Sequence, residues 1–230
     1  MKEILSEIRK QIRTRENGPA VDSMKAHGIV YRTNHGLSIA EIKSIAGKYK
    51  KNHELAIELW GWDHREFRIL ATMIDDPEKV LLEQMAVWSR NFTNAEIAEQ
   101  CAINLAYYSP LHKDIIKQWL NDENPWAIKA GLVLLAWTAQ RNPSVDLDFL
   151  EQQLYLLPRF IQPEQMSVVA GVSFALRAIG KRNKSLNKQA IAILNLLKNK
   201  EDYATRFVVE EALWELESDI IQERLKNKEE

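Results

Sequence analysis

The chain is predicted to be all-α, and three observations carry that expectation. Helical hydrophobic periodicity runs nearly end to end. Alternating strand runs and an Asn-Gly hairpin signal are both missing. Glycine (8) and proline (7) are scarce, which suits helices better than a turn-rich sheet. "SIAEIKSIAGKYK" opens with Ser38 as an N-cap and Glu41 three residues later, a capping-box pattern. "DHREFRILATMI" turns Phe67, Leu70, Ala71 and Ile74 inward, and "DDP" breaks it. "PEKVLLEQMAVWSR" reads as the next helix. "FTNAEIAEQCAINL" follows, with Ile97, Cys101, Leu105 and Tyr108 at the four-residue step of a buried stripe, and "SP" ends it. "LHKDIIKQWL" is short and stops at "NDENP". "WAIKAGLVLLAWTAQ" is apolar almost all round, which makes it central. "VDLDFLEQQLYLLP", "PEQMSVVAGVSFALRAIGKRN", "LNKQAIAILNLLKNK" and "YATRFVVEEALWELES" complete the series.

This gives about a dozen helices joined by short links. Successive antiparallel pairs of around 35 to 45 residues mark an α-solenoid of the HEAT kind. The repeats are not self-similar in detail, so a compact bundle is the structural alternative. No linker divides the chain, and residues 1–230 are expected to form a single curved repeat domain. Its end, residues 218–230 with "RLKNKEE", is expected to fray.

Composition narrows the function classes. A single cysteine allows no disulfide framework within the chain and fits a reducing compartment. The N-terminus "MKEILSEIRKQIRTRENG" is charged throughout, and no apolar run approaches the ~20 residues of a membrane span. A cytoplasmic, monomeric protein without membrane contact is expected. The histidines (His27, His35, His53, His64, His112) show no metal-ligand spacing. Gly-rich phosphate loops, nucleophile elbows and cysteine clusters are missing too, so neither metal nor cofactor is expected.

The 31 basic residues nearly balance 32 acidic ones, yet their distribution is uneven. Gln165 to Lys200 holds no acid but carries Arg177, Lys181, Arg182, Lys184, Lys188, Lys198 and Lys200. A second basic stretch has Lys25, Arg32, Lys43, Lys48, Lys50 and Lys51, with only Glu41 against them. Residues 54–99 between the two are mostly acidic. Lysines on solvated helix faces explain this pattern as well as a cradle for DNA does; two basic blocks around an acidic middle suit the cradle better than random scatter.

Five stretches together carry a family likeness: "ELWGWDHREFRILATMIDDP", "NFTNAEIAEQCAINL", "NPWAIKAGLVLLA", "SFALRAIGKRNKSLNKQAI" and "ATRFVVEEALWEL". In this order, from about Met24 to Glu217, the chain resembles bacterial DNA alkylation repair proteins of the AlkD-like family. These are HEAT-like-repeat glycosylases of alkylated purines. The resemblance implies a concave basic groove for duplex DNA. It also implies an aspartate that stabilises the sugar cation left by the departing base, and two tryptophans and an arginine lining the cleft.

The family motif on the 92–105 helix reads roughly Phe-Asp-x-Trp-Asp-x-x-Asp-Gln-Cys, then Asn-Leu. Phe92, Gln100, Cys101, Asn104 and Leu105 match it. Ala95 falls where the first cleft tryptophan belongs, Glu96 replaces the next aspartate, and Glu99 falls on the catalytic aspartate. Lys129 stands at the cleft arginine and Phe174 at the second tryptophan. The scaffold positions are thus kept and the cleft positions changed.

Glu99 keeps the catalytic charge. A carboxylate about 4 Å from a sugar cation contributes on the order of 4 kcal/mol at an effective dielectric near 20. Glutamate is one methylene longer, and a misplacement of about 1 Å costs about a hundredfold. Lys129 lacks the planar fork of arginine, Phe174 lacks an indole N–H, and Ala95 has no ring to stack on a lesion. Without the family, each has a plainer role: Glu99 on a solvated face, Phe174 in the core, and Lys129 snorkelling from an apolar helix. The sequence therefore leaves three readings open. One is an alkylpurine N-glycosylase with Glu99 as electrostatic stabiliser. Another is a DNA-structure-binding relative without chemistry, and the third a HEAT-like protein scaffold. For the DNA readings, Arg177, Lys181, Arg182, Lys184 and Lys188 are the expected contacts to backbone phosphates.

Overall fold

A computed structural model describes residues 1–227. Its described residues contain fourteen α-helices and no strand, only an isolated bridge between Thr33 and His64. None of these helices is long and apolar enough to cross a membrane. The chain divides into two compact units, Met1–Trp119 and Leu120–Glu230.

The first unit contains α1 (Lys2–Arg13), α2 (Gly18–Ala26), α3 (Ile39–Ala46), α4 (His53–Trp60), α5 (Arg65–Ile74), α6 (Leu82–Ser89) and α7 (Ala95–Asn104), with α8 (His112–Leu120) ending at the division. Helix α5 packs against α3, α4 and α7 and is its centre. Ser38 and Glu41 form the expected capping box at α3, and the Asn52 and Asn94 side chains cap α4 and α7. Trp60 and Trp88 stack with centroids 3.9 Å apart and planes 2° from parallel, while Phe92 meets both Trp60 and Trp119 edge-on. These buried rings fix the α4–α6–α8 side of the unit.

The second unit contains α9 (Pro125–Arg141), α10 (Leu147–Leu156), α11 (Met166–Gly180), α12 (Lys184–Leu197), α13 (Tyr203–Leu216) and α14 (Asp219–Lys226). Helix α11 lies between α9 and α13, and α12 packs on both α11 and α13. Eleven of the seventeen residues of α9 are buried, in line with its all-round apolar sequence. Gly131 makes room for the approach of Leu120, since a Cβ there would stand 3.1 Å from that side chain.

Two expectations fail locally. "PEKVLLEQMAVWSR" is not one helix: Asp76 caps a short 3-10 turn at Pro77–Lys79, Val80 and Leu81 are extended, and α6 starts only at Leu82. Tyr108 leaves the buried stripe because α7 ends at Asn104 and a 3-10 turn over Ala106–Tyr108 swings the ring out, to 59% exposure. Of residues 218–230, Asp219–Lys226 form α14, whose Ile221 and Leu225 are buried, and residues 228–230 lie outside the described residues.

Candidate nucleic-acid interface

The N-terminus of α7 is held from three sides. Asn94 is buried and extended, and its Oδ1 accepts from the Ile97 N–H at 3.2 Å. The Tyr31 hydroxyl lies 3.4 Å from the same oxygen and 3.2 Å from Glu96 Oε2. Arg65, 1% exposed, forks onto Glu96 with Nε–Oε2 at 2.8 Å and Nη2–Oε1 at 2.6 Å. Its Nη1 donates to the Leu37 carbonyl at 2.7 Å and to Glu66 Oε1 at 3.2 Å. Burial, reinforced by the charge of Glu96, raises the Tyr31 hydroxyl above the ordinary phenol range. Glu96, expected in the lesion cleft, is thus committed to a bidentate pair that anchors α7. Only its spacing one turn before Gln100 was legible in the sequence; its partner Arg65 was not.

Past this anchor, α7 presents Ala95, Glu99, Gln100, Ile103 and Asn104 as half-buried residues. The Asn104 amide donates to Gln100 Oε1 at 2.9 Å and to the Thr72 hydroxyl at 3.2 Å, so this polar row is ordered from within. Gln100, Ile103 and Asn104 line a hollow of about 290 Å³ together with Met73, Lys43 and Lys50. No carboxylate lines it. The one acid of this basic stretch, Glu41, is turned into the α3 cap: the Ser38 backbone N–H and hydroxyl hold its carboxyl below the ordinary range. Lys43 and Lys50 therefore face the hollow with their charge unopposed by Glu41.

The other expected residues belong to the second unit. Lys129 of α9 is 9% exposed, and its stem runs past Gly171 of α11, where a Cβ would come within 3.3 Å of Lys129 Cδ. Phe174 follows on α11 and is half-buried, between the core positions Val172 and Leu176. One turn further, the expected backbone clamp is bound to acids of α13. Arg177 meets Glu215 at 3.0 Å and Glu211 at 3.4 Å, and Lys181 pairs with Glu215. Ser173 donates to Glu211 at 2.5 Å. Burial pushes the Glu215 carboxyl up, but Lys181 and Arg177 outweigh it and hold it below the ordinary range. Arg177 and Lys181 are therefore part of an α11–α13 ion cluster. Lys184 is half-buried at the start of α12, and Lys188 is exposed.

Arg182 lies elsewhere. It donates to the Pro143 carbonyl at 2.5 Å and shares a hollow of about 380 Å³ with Arg141, Lys181 and Arg224. Four cationic side chains from α9, the end of α11 and α14 meet there, and no acid lines the cavity. Arg141 and Arg224 are not singled out by the sequence: Arg141 is a lone cation at the end of an apolar helix, and Arg224 falls in the stretch expected to fray. Such a hollow suits the oxygens of a phosphate. No group of three or more His, Cys, Asp or Glu placed to hold a metal ion occurs among the described residues.

Comparison with known proteins agrees with this architecture. Residues 8–216 match the family described as DNA alkylation repair enzyme. An uncharacterized protein of Listeria innocua is 29% identical over 119 residues, which are 49% of this chain and 52% of that protein. The chain thus spans about half the length of the curated relative it matches. A solved structure matches with a TM-score of 0.77 at 16% identity, covering 96% of this chain and 95% of the other. It is described as one of a new family of proteins related to the HEAT-like repeat DNA glycosylases, with affinity for branched DNA structures. At that identity the likeness establishes the fold, which is HEAT-like.

Proposed function

The chain belongs to the DNA alkylation repair enzyme family, and on that premise we propose that it binds DNA by shape and phosphate backbone, branched DNA included, rather than by capturing one damaged base. The observation that carries this reading is the α7 face. Ala95 offers a methyl group where lesion capture needs a ring, and Glu96 is held by Arg65 instead of facing a substrate. With no ring at Ala95 and only the smaller ring of Phe174 at the second position, selection of a cationic purine is weakened. Contacts to phosphate need only placed cations, and these are available in two hollows free of acids. One is rimmed by Lys43 and Lys50, the other by Arg141, Arg182 and Arg224, with Lys181 beside them held by Glu215. The structural relative with affinity for branched DNA supports the same reading. Residues 1–230 then act as one DNA-binding repeat array, with Lys184 and Lys188 as flanking contacts.

The second reading, excision with Glu99 as stabiliser of the sugar cation, rests on the half-buried place of Glu99 on that same α7 face. One experiment separates the two. Binding of a four-way junction, a fork and a linear duplex of equal length is measured at several salt concentrations. Release of 7-methylguanine and 3-methyladenine from methylated duplex is followed in parallel for the native protein and Glu99→Gln. Salt-dependent binding that favours the branched forms, without base release, is expected. Replacing Arg141, Arg182 and Arg224 by alanine then lowers the salt slope by roughly 0.9 for each phosphate no longer neutralised. Base release that vanishes in Glu99→Gln would establish the glycosylase instead, and an unchanged slope in the triple variant would remove this hollow from the interface.

A further inference from the structure

A third hollow, on the first unit, belongs to neither set of residues above. It measures about 280 Å³ and is lined by Arg9 and Arg13 of α1, by Thr33 and His35, and by Trp62 and His64. The Arg9 guanidinium sits over the Trp62 indole, 4.7 Å from its centroid, and Trp62 remains 45% exposed. His64 stacks on Phe67 with centroids 4.2 Å apart and planes 13° from parallel, and Trp62 meets Phe67 edge-on. The floor of the hollow is therefore a rigid aromatic cluster, and its rim is cationic.

The cations have no acid partner. Neither Arg9 nor Arg13 makes an ion pair with a described residue. The acids nearby are accounted for. Glu66 lies fully buried beneath the floor, accepting from the backbone N–H groups of His35 and Leu37 and from Arg65. Glu16 approaches His35 Nδ1 at 3.3 Å, and Asp63 pairs with Arg68. The Nδ1 atoms of His35 and His64 are buried and lack partners in hydrogen-bond geometry. Two guanidiniums without an acid partner thus border a half-exposed indole, with Arg9 already resting on one of its faces.

The hollow also has a direction. Arg9 and Arg13 are shared with an adjoining hollow of about 480 Å³ along α1, lined further by Ser6, Lys10 and Thr14. The two arginines lie one turn apart, about 6 Å along the helix axis. That step suits consecutive phosphates of an unstacked strand, and an aromatic face at the end of a cationic track is how single strands are held without sequence preference. A free nucleotide would use the aromatic end and leave the track along α1 unexplained.

We propose that this hollow takes an unpaired nucleotide of a DNA strand, its base on Trp62 and its phosphates on Arg9 and Arg13. The site rests on the DNA reading above for the identity of the polymer. It favours a forked strand, which has a nucleotide free to leave the stack, over a continuous duplex.

The test uses the full chain with a short oligothymidylate single strand, the four-way junction and inorganic phosphate as probes, and with Trp62→Ala and the Arg9→Ala/Arg13→Ala pair. Trp62 is half-exposed and both arginines are on the surface of α1, so circular dichroism should be unchanged. The single strand should quench tryptophan fluorescence in the native protein. Trp62→Ala should weaken its binding by roughly fivefold or more, the worth of one stacked base. The arginine pair should lower its salt slope by about 1.4, two single-strand phosphates. Junction binding without single-strand binding, or single-strand binding untouched by these variants, overturns the site and leaves the DNA reading standing. Binding of neither DNA overturns both. Binding of inorganic phosphate alone overturns the assignment to a strand.

Discussion

Replacing Arg65 by methionine should cost about 3–5 kcal/mol of folding free energy, the usual loss when one partner of a buried ion pair is removed. The magnitude follows from what the side chain does. Arg65 makes two hydrogen bonds to Glu96, one to the Leu37 carbonyl and one to Glu66. Without it, Glu66 stays fully buried with the backbone N–H groups of His35 and Leu37 as donors and His64 Nδ1 at 3.4 Å. In a chain of this size each kcal/mol shifts the midpoint by about 2–4 °C, so a fall of roughly 6–20 °C is expected. Glu96→Gln should cost less, about 1–3 kcal/mol, because Arg65 retains Glu66 and Leu37. Urea unfolding followed by circular dichroism, on both single variants and the double, gives the coupling directly, and it should exceed about 1 kcal/mol. A cost below about 1 kcal/mol for Arg65→Met, or a coupling near zero, would refute the view that this pair anchors α7.

Two further expectations concern pH and charge. Burial, with the charges of His35 and Arg9 adding to it and Asp63 opposing, lowers His64 from 6.5 to about 4. The unfolded chain then binds more protons between those values, so stability should fall as pH drops from about 6.5 to about 4, by about 3 kcal/mol. His64→Phe should remove that part of the pH dependence in acid titrations of stability. Glu215→Gln breaks the ion cluster on α13, releasing Lys181 from it and leaving Arg177 with Glu211. If DNA approaches this face, its affinity should rise and its salt slope steepen by about 1 to 2; unchanged binding would place the cluster away from DNA.

Local signals in the sequence carried most of the helices. The Ser38–Glu41 box and the apolar run of α9 are each written within a few residues, and each appears as expected. The break after Val80 was not legible, because "EKVLLEQ" suits a helix by composition while the chain there is extended. The site was legible only in part. A family likeness fixes positions along the chain, so Ala95, Glu96, Glu99, Lys129 and Phe174 could be named. It says nothing of partners brought from elsewhere. Arg65 reaches Glu96 across 31 positions, and Glu215 reaches Arg177 across 38. The stretch from Gln165 to Lys200 contains no acid of its own; the acids that pair Arg177 and Lys181 come from α13. Cations without an acid partner are found instead at Arg9 and Arg13, in the charged N-terminal stretch, and at Arg141 and Arg224.

Cys101 gives this architecture an internal clock. It is the chain's one cysteine, fully buried on the inner stripe of α7, and burial pushes its thiol well above the ordinary range. A thiol reagent can therefore react only when the Met1–Trp119 unit opens. The rate of that reaction, followed against urea, times the opening of one unit while the other contributes no signal. Repeated with a junction bound, it tells whether the DNA holds the Met1–Trp119 half shut, without a substitution in the chain.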